Sequence, residues 1–261
     1  MKNHYDILII DDEQVVIDSI RKIAELENYT TDYTLCAKEA LKKLSENEYE
    51  LIICDIMLPE MDGFQFLQEV DKRNILTPVI ITTGFSTIEN AVKSLYLGAI
   101  DFIPKPFSID EMTSLLYRGM KFKKIKLDKE KNLADGLVVS CPPRFFRLGV
   151  SCWANIDLDG SVRIGTTNFF IKTIDQVDNV ELLSVGDIIT QALTCAKFYS
   201  GEFVHNLYSA LSGRIIEVNG KLLQQPELIE KDPYFEGWIY RIIPQELEYE
   251  KQKLIPCGSD R

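Results

Sequence analysis

The 261-residue chain carries 29 basic and 40 acidic side chains, a formal net charge of −11, which argues against a protein that works by coating nucleic acid or an anionic membrane. No apolar run approaches the ~20 residues that span a bilayer and the acid-rich start MKNHYDILIIDD does not read as a signal peptide, so a cytoplasmic protein with room for two domains is expected. Six cysteines (Cys36, Cys54, Cys141, Cys152, Cys195 and Cys257) form no CxxC pair, and several lie in apolar runs; they read as buried free thiols rather than metal ligands or disulfides.

Residues 7–10 are a short unbroken apolar run, the pattern of a strand buried on both faces, and Asp11 and Asp12 follow at once. A helix over about 14–27 is expected, with Val16, Ile20, Ile23 and Ala24 inward, then a weak edge strand at 31–35. Residues 37–45 read as a helix burying Ala40, Leu41 and Leu44. A second buried run, 51–54, ends at Asp55; Pro59 stops an immediate helix, and Gly63 permits a turn before a helix from 64 to about 71. Pro78 opens a fourth strand ending near Thr83, and Ile88, Ala91, Val92 and Leu95 mark a helix that stops near Gly98. A fifth strand, 101–103, precedes Lys105, and Ser108 with Glu111 has the spacing of a capping box.

Five βα units in this order imply a doubly wound parallel sheet with right-handed crossovers. Strands in such sheets deliver their ligand-binding residues at the carboxyl edge. Asp11, Asp12, Asp55, Thr83 and Lys105 therefore converge there. Clustered carboxylates repel one another, and a hard divalent cation such as Mg²⁺ relieves this. A metal beside Asp55 would neutralise an incoming phosphoryl group and leave the carboxylate as nucleophile. Asp11 or Asp12 taken singly is more commonly a helix cap, and Lys105 alone more often a solvated charge.

The segments IIDDE (9–13), CDIMLPEMDG (54–63), TTGFS (82–86) and DFIPKPF (101–107) make residues 1–120 resemble a response-regulator receiver domain of the CheY type. The handed-on pattern of that family has a flavodoxin-like five-stranded fold. The resemblance implies a phospho-acceptor at Asp55 and Mg²⁺ held by Asp11, Asp12, Asp55 and the backbone carbonyl of Met57. It implies a switch hydroxyl at Thr83, a coupled aromatic at Phe102 that otherwise reads as a core ring, and a phosphate-binding Lys105 aimed by a cis bond to Pro106. A sensor histidine kinase is the implied partner, and homodimer formation is open.

The last helix is expected to run on through Lys121, Lys123, Lys124, Lys126, Lys129 and Lys131, either as a solvated face or as a helical stalk. Residues 121–136 form this extension, closed by Gly136 and then Pro142–Pro143. Periodicity then changes to that of strands: 148–153 and 161–166 joined by an Asp159–Gly160 turn, a helix over 168–177, short strands separated by glycine turns, a helix over 221–230 and a closing strand at 237–243. Trp238 reads as core and His205 as a surface or packing residue.

DGSVRIGTTNFF (159–170), VGDIIT (185–190), LYSALSGRIIEVNGKL (207–222) and PELIEKDPYFEGWIYRI (226–242) resemble the H-protein of the glycine cleavage system, a lipoyl-domain relative. The implied fold for 137–250 is a mainly β barrel-sandwich hybrid, with 251–261 a tail and a hairpin near Gly201 for the lipoylated lysine. Here that position holds Glu202, whose carboxylate cannot form the amide to lipoic acid. The nearest lysine, Lys197, falls inside the strand, so no lipoate is expected and the domain reads as a docking or dimerisation module with an unknown protein partner. The alternative is a receiver-controlled lipoyl or aminomethyl carrier related to the glycine cleavage system. A transcription factor is disfavoured, since no helix-turn-helix pattern follows residue 136 and nucleic acid and membrane are not expected partners.

Overall fold

The computed structural model describes residues 3–84, 87–130 and 138–258, and these fall into two units divided at 131/132. Phe85 and Ser86 of the TTGFS segment, the linker residues 131–136 and the tail residues 259–261 lie outside the described residues.

In the first unit, β1 (His4–Ile10), β2 (Thr31–Thr34), β3 (Glu48–Asp55), β4 (Val79–Thr83) and β5 (Asp101–Pro104) pair in parallel in the order β2-β1-β3-β4-β5. Between them run α1 (Gln14–Leu26), α2 (Ala37–Glu46), α3 (Gly63–Lys72) and α4 (Ile88–Tyr96), and α5 (Ile109–Glu130) follows. The central strands are apolar throughout because helices cover both faces: Ile7 to Ile10 and Leu51 to Cys54 are buried. β2 lies at the sheet edge, as its weaker pattern indicates.

The helix faces depart from the expected ones in detail. Ile17 is buried and Val16 only half-buried, because a 3.6-residue period sets Ile17 in line with Ile20 and Ala24. Leu44 is half-buried, and Ile88, at the start of α4, is exposed. Ser108 and Glu111 form the expected capping box: the Ser108 amide donates to Glu111 at 2.8 Å, and the Glu111 amide to the Ser108 hydroxyl at 3.2 Å. α5 keeps an inward face beyond residue 120, with Phe122 and Ile125 buried. Lys123 is not a solvated charge: its Nζ donates to the carbonyl of Tyr49 (2.7 Å) and to Glu50 (3.1 Å).

The second unit is antiparallel. A seven-stranded sheet in the order β10-β13-β14-β8-β7-β6-β15 contains β6 (Phe146–Leu148), β7 (Cys152–Ile156), β8 (Val162–Thr166), β10 (Ile188–Ile189), β13 (Gly213–Val218), β14 (Trp238–Pro244) and β15 (Ile255–Pro256). A three-stranded sheet, β12-β11-β9, contains β9 (Asn179–Leu182), β11 (Thr194–Ser200) and β12 (Phe203–Tyr208). Tyr240 ties them together: its hydroxyl accepts from the Leu183 amide (2.7 Å) and donates to the Cys195 carbonyl (2.8 Å). Phe145, Trp153 and Tyr234 form one buried aromatic cluster, against which the half-buried Trp238 packs.

Several expected elements of this unit are corrected. The strand expected over 148–153 is two strands, parted where Gly149 takes a φ of 55°. The helix from Asn168 ends at Thr173 (α6, Asn168–Thr173), and farther on the amide of Val177 is bonded to Glu230 at 2.7 Å instead of a helical carbonyl. The helix expected over 221–230 is a 3-10 turn, Gly220–Leu223, and one turn of α7 (Leu228–Lys231), separated by Pro226, which removes an amide and disfavours helix in the residue before it. The strand taken as closing, β14, lies between β13 and β8. Residues expected as a tail instead hold the end of α8 (Leu247–Lys251) and β15, which pairs with β6. His205 is buried, hence a packing residue. Cys54, Cys152 and Cys195 are buried free thiols, whereas Cys36, Cys141 and Cys257 are only half-buried.

Candidate functional site

Adjacent parallel strands end side by side, and their registers set the site. Ile10 of β1 is level with Cys54 of β3, Asp55 with Thr82 of β4, and Thr83 with Pro104 of β5. The next residue after β1 is therefore Asp11 and after β5 Lys105, both at the same edge as Asp55. The Lys105 amide donates to the Thr83 carbonyl (2.8 Å), and the Lys105–Pro106 bond is cis, as the resemblance implies.

One ligand atom each from Asp11, Asp12 and Asp55 lies within 4.8 Å of the others. Asp11 and Asp55 are buried and Asp12 is exposed. Lys105 Nζ lies 2.7 Å from Asp11 Oδ2 and 3.4 Å from Asp55 Oδ2, with only 11% of its side chain exposed. Burial raises the pKa of both aspartates, against the pull of Lys105 and of backbone amides. For Asp55 those amides belong to Ile56, at 2.9 Å, and Met57. Burial disfavours the Lys105 ammonium too, yet its bonds to Asp11 and Asp55 outweigh this and raise its pKa.

Three carboxylates facing one ammonium leave an excess of negative charge in a partly dehydrated place. An all-oxygen donor set with one member open to solvent fits Mg²⁺, which keeps several waters and takes few carboxylates. Among the described residues no other group of three His, Cys, Asp or Glu side chains brings ligand atoms so close. Thr83 is fully buried at the end of β4, and Phe102 is buried on the neighbouring β5.

One contributor carries no signal in the sequence, and another has a role different from the expected one. Glu13, mostly exposed, brings a carboxylate within 3.6 Å of Lys105 Nζ; the IIDDE run contains it, but nothing in its spacing separates it from an ordinary residue at a helix start. Gly63 does not serve a turn: the positive φ in this loop belongs to Glu60, at 64°. Gly63 instead opens α3 beside the end of β3, where a Cβ would stand 2.5 Å from the Asp55 carbonyl oxygen.

Residues 7–117 match the family described as response regulator receiver domain, and residues 147–258 match the glycine cleavage H-protein family. The chain is a receiver domain joined to an H-protein-like domain. The receiver is similar to a putative NtrX-like response regulator of Rickettsia bellii, 40% identical over 123 residues, which are 46% of this chain and 26% of that protein. It is also similar to the receiver domain of a Francisella response regulator, 34% identical, covering 45% of this chain and 97% of that one with a TM-score of 0.43. The H-protein-like domain is similar to the glycine cleavage system H protein of Mycobacterium marinum, 29% identical, covering 40% of this chain and 87% of that one with a TM-score of 0.38. The chain thus spans about a quarter of the length of the NtrX-like relative.

In the H-protein-like domain, β11 and β12 form a hairpin whose two-residue turn is Gly201–Glu202, with Ser200 opposite Phe203. Gly201 has a φ of 56° and donates its amide to Asp178 at 2.8 Å, the use of glycine that tight hairpins favour. Glu202 is exposed at the tip. Lys197 lies in the middle of β11, opposite Asn206, and its Nζ is paired with Glu181 at 2.9 Å. No helix among the described residues is long and apolar enough to cross a membrane.

Proposed function

We propose that this chain is the response regulator of a cytoplasmic two-component phosphorelay, phosphorylated by a sensor histidine kinase on Asp55. The observation that carries this reading is the position of Asp55: a buried carboxylate among two further aspartates, with an ammonium 3.4 Å away. Asp11, Asp12, Asp55 and the Met57 carbonyl would hold Mg²⁺, which supplies positive charge to the oxygens of an incoming phosphoryl group. The Asp55 carboxylate acts as nucleophile on phosphorus, forming an acyl phosphate as the phosphorus–nitrogen bond to the kinase's histidine breaks and the imidazole leaves. Lys105, freed in part from its present carboxylate partners, offers a point charge to the new phosphoryl oxygens.

Phosphorylation adds a charge of roughly −1.5 to −2 at Asp55. The Thr83 hydroxyl is the group at the end of β4 that can turn toward it, and Phe102 on β5 is the ring that follows. A surface remodelled in this way shifts the receiver between populations that partners distinguish. The chain that follows α5 leads from the receiver to the H-protein-like domain. The latter, with Glu202 where an arm lysine is implied, carries no lipoate and passes the signal by protein–protein contact, the chain acting as monomer or homodimer, without nucleic acid or membrane. Apart from its own phosphorylation and dephosphorylation, no outside substrate is turned over.

The test is covalent labelling of the purified chain by acetyl phosphate with Mg²⁺. The label is expected on Asp55, absent from Asp55→Asn and lost on chelation of the metal. An unlabelled wild type, or equal labelling of the Asn variant, overturns the reading.

A further inference from the structure

None of the chemistry above uses a thiol. Cys54, Cys152 and Cys195 are buried, and burial drives all three thiols upward in pKa, the state of inert core cysteines. Cys141 and Cys257 are placed differently. Both are half-buried and both pack on the Phe145–Trp153–Tyr234 cluster.

The backbone brings them together. β15 runs antiparallel to β6, with Ile255 opposite Arg147 and Pro256 opposite Phe146. The pairing continues outward, as the Cys257 amide donates to the Phe145 carbonyl at 2.9 Å. Gly258 then passes so close to Pro143 that a Cβ there would lie 3.2 Å from its carbonyl oxygen. A turn closed by the Phe145 amide on the Pro142 carbonyl (2.9 Å) brings Cys141 round to the same place. Each thiol is the other's strongest polar neighbour, and Arg147 is the nearby cation.

Their electrostatics are unequal. The hydrogen bond from Cys141, helped by Arg147 and opposed by burial, lowers the pKa of Cys257. That same bond, together with burial, raises the pKa of Cys141. One sulfur is prepared as nucleophile and the other waits beside it, which is the arrangement of a reactive dithiol.

We propose that Cys141 and Cys257 are a reversible redox site that closes into an intramolecular disulfide by exchange with a small-molecule disulfide. The Cys257 thiolate attacks one sulfur of the oxidant, forming a mixed disulfide and expelling the first small thiolate, which takes up the proton that Cys257 gave to water. Cys141 then attacks Sγ of Cys257, loses its proton to the departing sulfur and releases the second small thiol. The protein loses two protons and two electrons, and one small disulfide becomes two thiols. The bond would fasten the edge strand β15 to the segment through which the chain enters the H-protein-like domain. In a reducing compartment it stays open, and it closes when the thiol poise turns oxidising, as intracellular sensing disulfides do.

The experiment equilibrates the full chain with mixtures of reduced and oxidised glutathione, traps free thiols by alkylation in acid and maps the cysteines by mass spectrometry. The expected product is one Cys141–Cys257 cross-link within a single chain, lighter by two hydrogens and reopened by dithiothreitol. The chain's two tryptophans, Trp153 and Trp238, both pack on this cluster, so closure is expected to quench the indole emission of the folded protein. Cys141→Ser and Cys257→Ser are each expected to form no cross-link and to show no quenching; Cys36→Ser should behave as wild type. A link through Cys36, mixed disulfides on both thiols without a cross-link, or no reaction at a poise that oxidises protein dithiols overturns the proposal.

Discussion

Replacing Gly63 by alanine tests whether the loop after β3 is held as tightly as the site requires. An ideal Cβ at this position falls 2.5 Å from the Asp55 carbonyl oxygen, 2.9 Å from Ile56 Cα and 3.2 Å from the Asp55 carbonyl carbon. All three are backbone atoms, and they are fixed from behind. The Ile56 amide is bonded to the Thr82 carbonyl at 3.1 Å, and the Gly63 amide returns to the Ile56 carbonyl at 2.9 Å. No side chain can rotate away, so α3 and the end of β3 must separate. Overpacking of this kind costs about 1–3 kcal/mol. Alanine gains up to about 1 kcal/mol over glycine in a helix interior and less at a first helical residue, which leaves a net loss of about 1–2 kcal/mol. For a unit of the receiver's size that lowers the melting midpoint by roughly 4–10 °C. Far-UV circular dichroism follows the receiver, which contains the long helices α1 to α5, while tryptophan emission follows only the H-protein-like domain, home of Trp153 and Trp238. The dichroism midpoint is expected to fall and the emission midpoint to stay. Labelling of Asp55 by acetyl phosphate should slow as well, because the displaced carbonyl is that of Asp55 itself. An unchanged or raised dichroism midpoint would refute the close-contact argument.

Gly165→Ala is the counterpart in the other domain: its Cβ would lie 2.6 Å from the Trp153 ring, which is buried and anchored by its Nε1–H to the Pro233 carbonyl at 3.1 Å. A loss of about 1–3 kcal/mol is expected in the emission transition alone, and a shift confined to dichroism would contradict it. Asp32 accepts from the Tyr49 hydroxyl (2.7 Å) and from Lys43 (2.9 Å), and these bonds outweigh burial and lower its pKa. A depressed native value means stability present above the ordinary carboxylate pKa of ~3.9 and lost as pH falls through the native one. Asp32→Asn should therefore cost about 1–2 kcal/mol at neutral pH, with the gap from wild type closing in acid; urea titrations followed by dichroism that show a constant gap would count against this. Glu202→Lys places an amine at the exposed turn, and a lipoate–protein ligase with lipoate and ATP is expected to add a lipoyl mass to this variant but not to wild type, whose Lys197 is held by Glu181; modification of wild type at Lys197 would reverse the assignment.

Much of the receiver could be read directly from residue order. Runs such as 7–10 and 51–54 are apolar without alternation because their strands are covered on both faces, and that covering dictates a parallel sheet whose carboxyl edge collects Asp11, Asp55 and Lys105. The second domain was less legible. Its strands are short, and Gly149 and Pro226 alter elements that apolar spacing alone carries through them.

What the sequence by itself determined was the periodicity of burial and the punctuation of turns, hence the strand–helix order of the receiver, its acidic edge and the glutamate at the hairpin tip. Only the tertiary structure decided why position 63 lacks a side chain, that Lys123 is bonded to β3, that Tyr240 bridges two sheets, and that Cys141 and Cys257 meet. The reason is physical: periodicity records how each residue faces its own element, whereas the approach of two backbones or two thiols far apart in the chain depends on how separate elements pack.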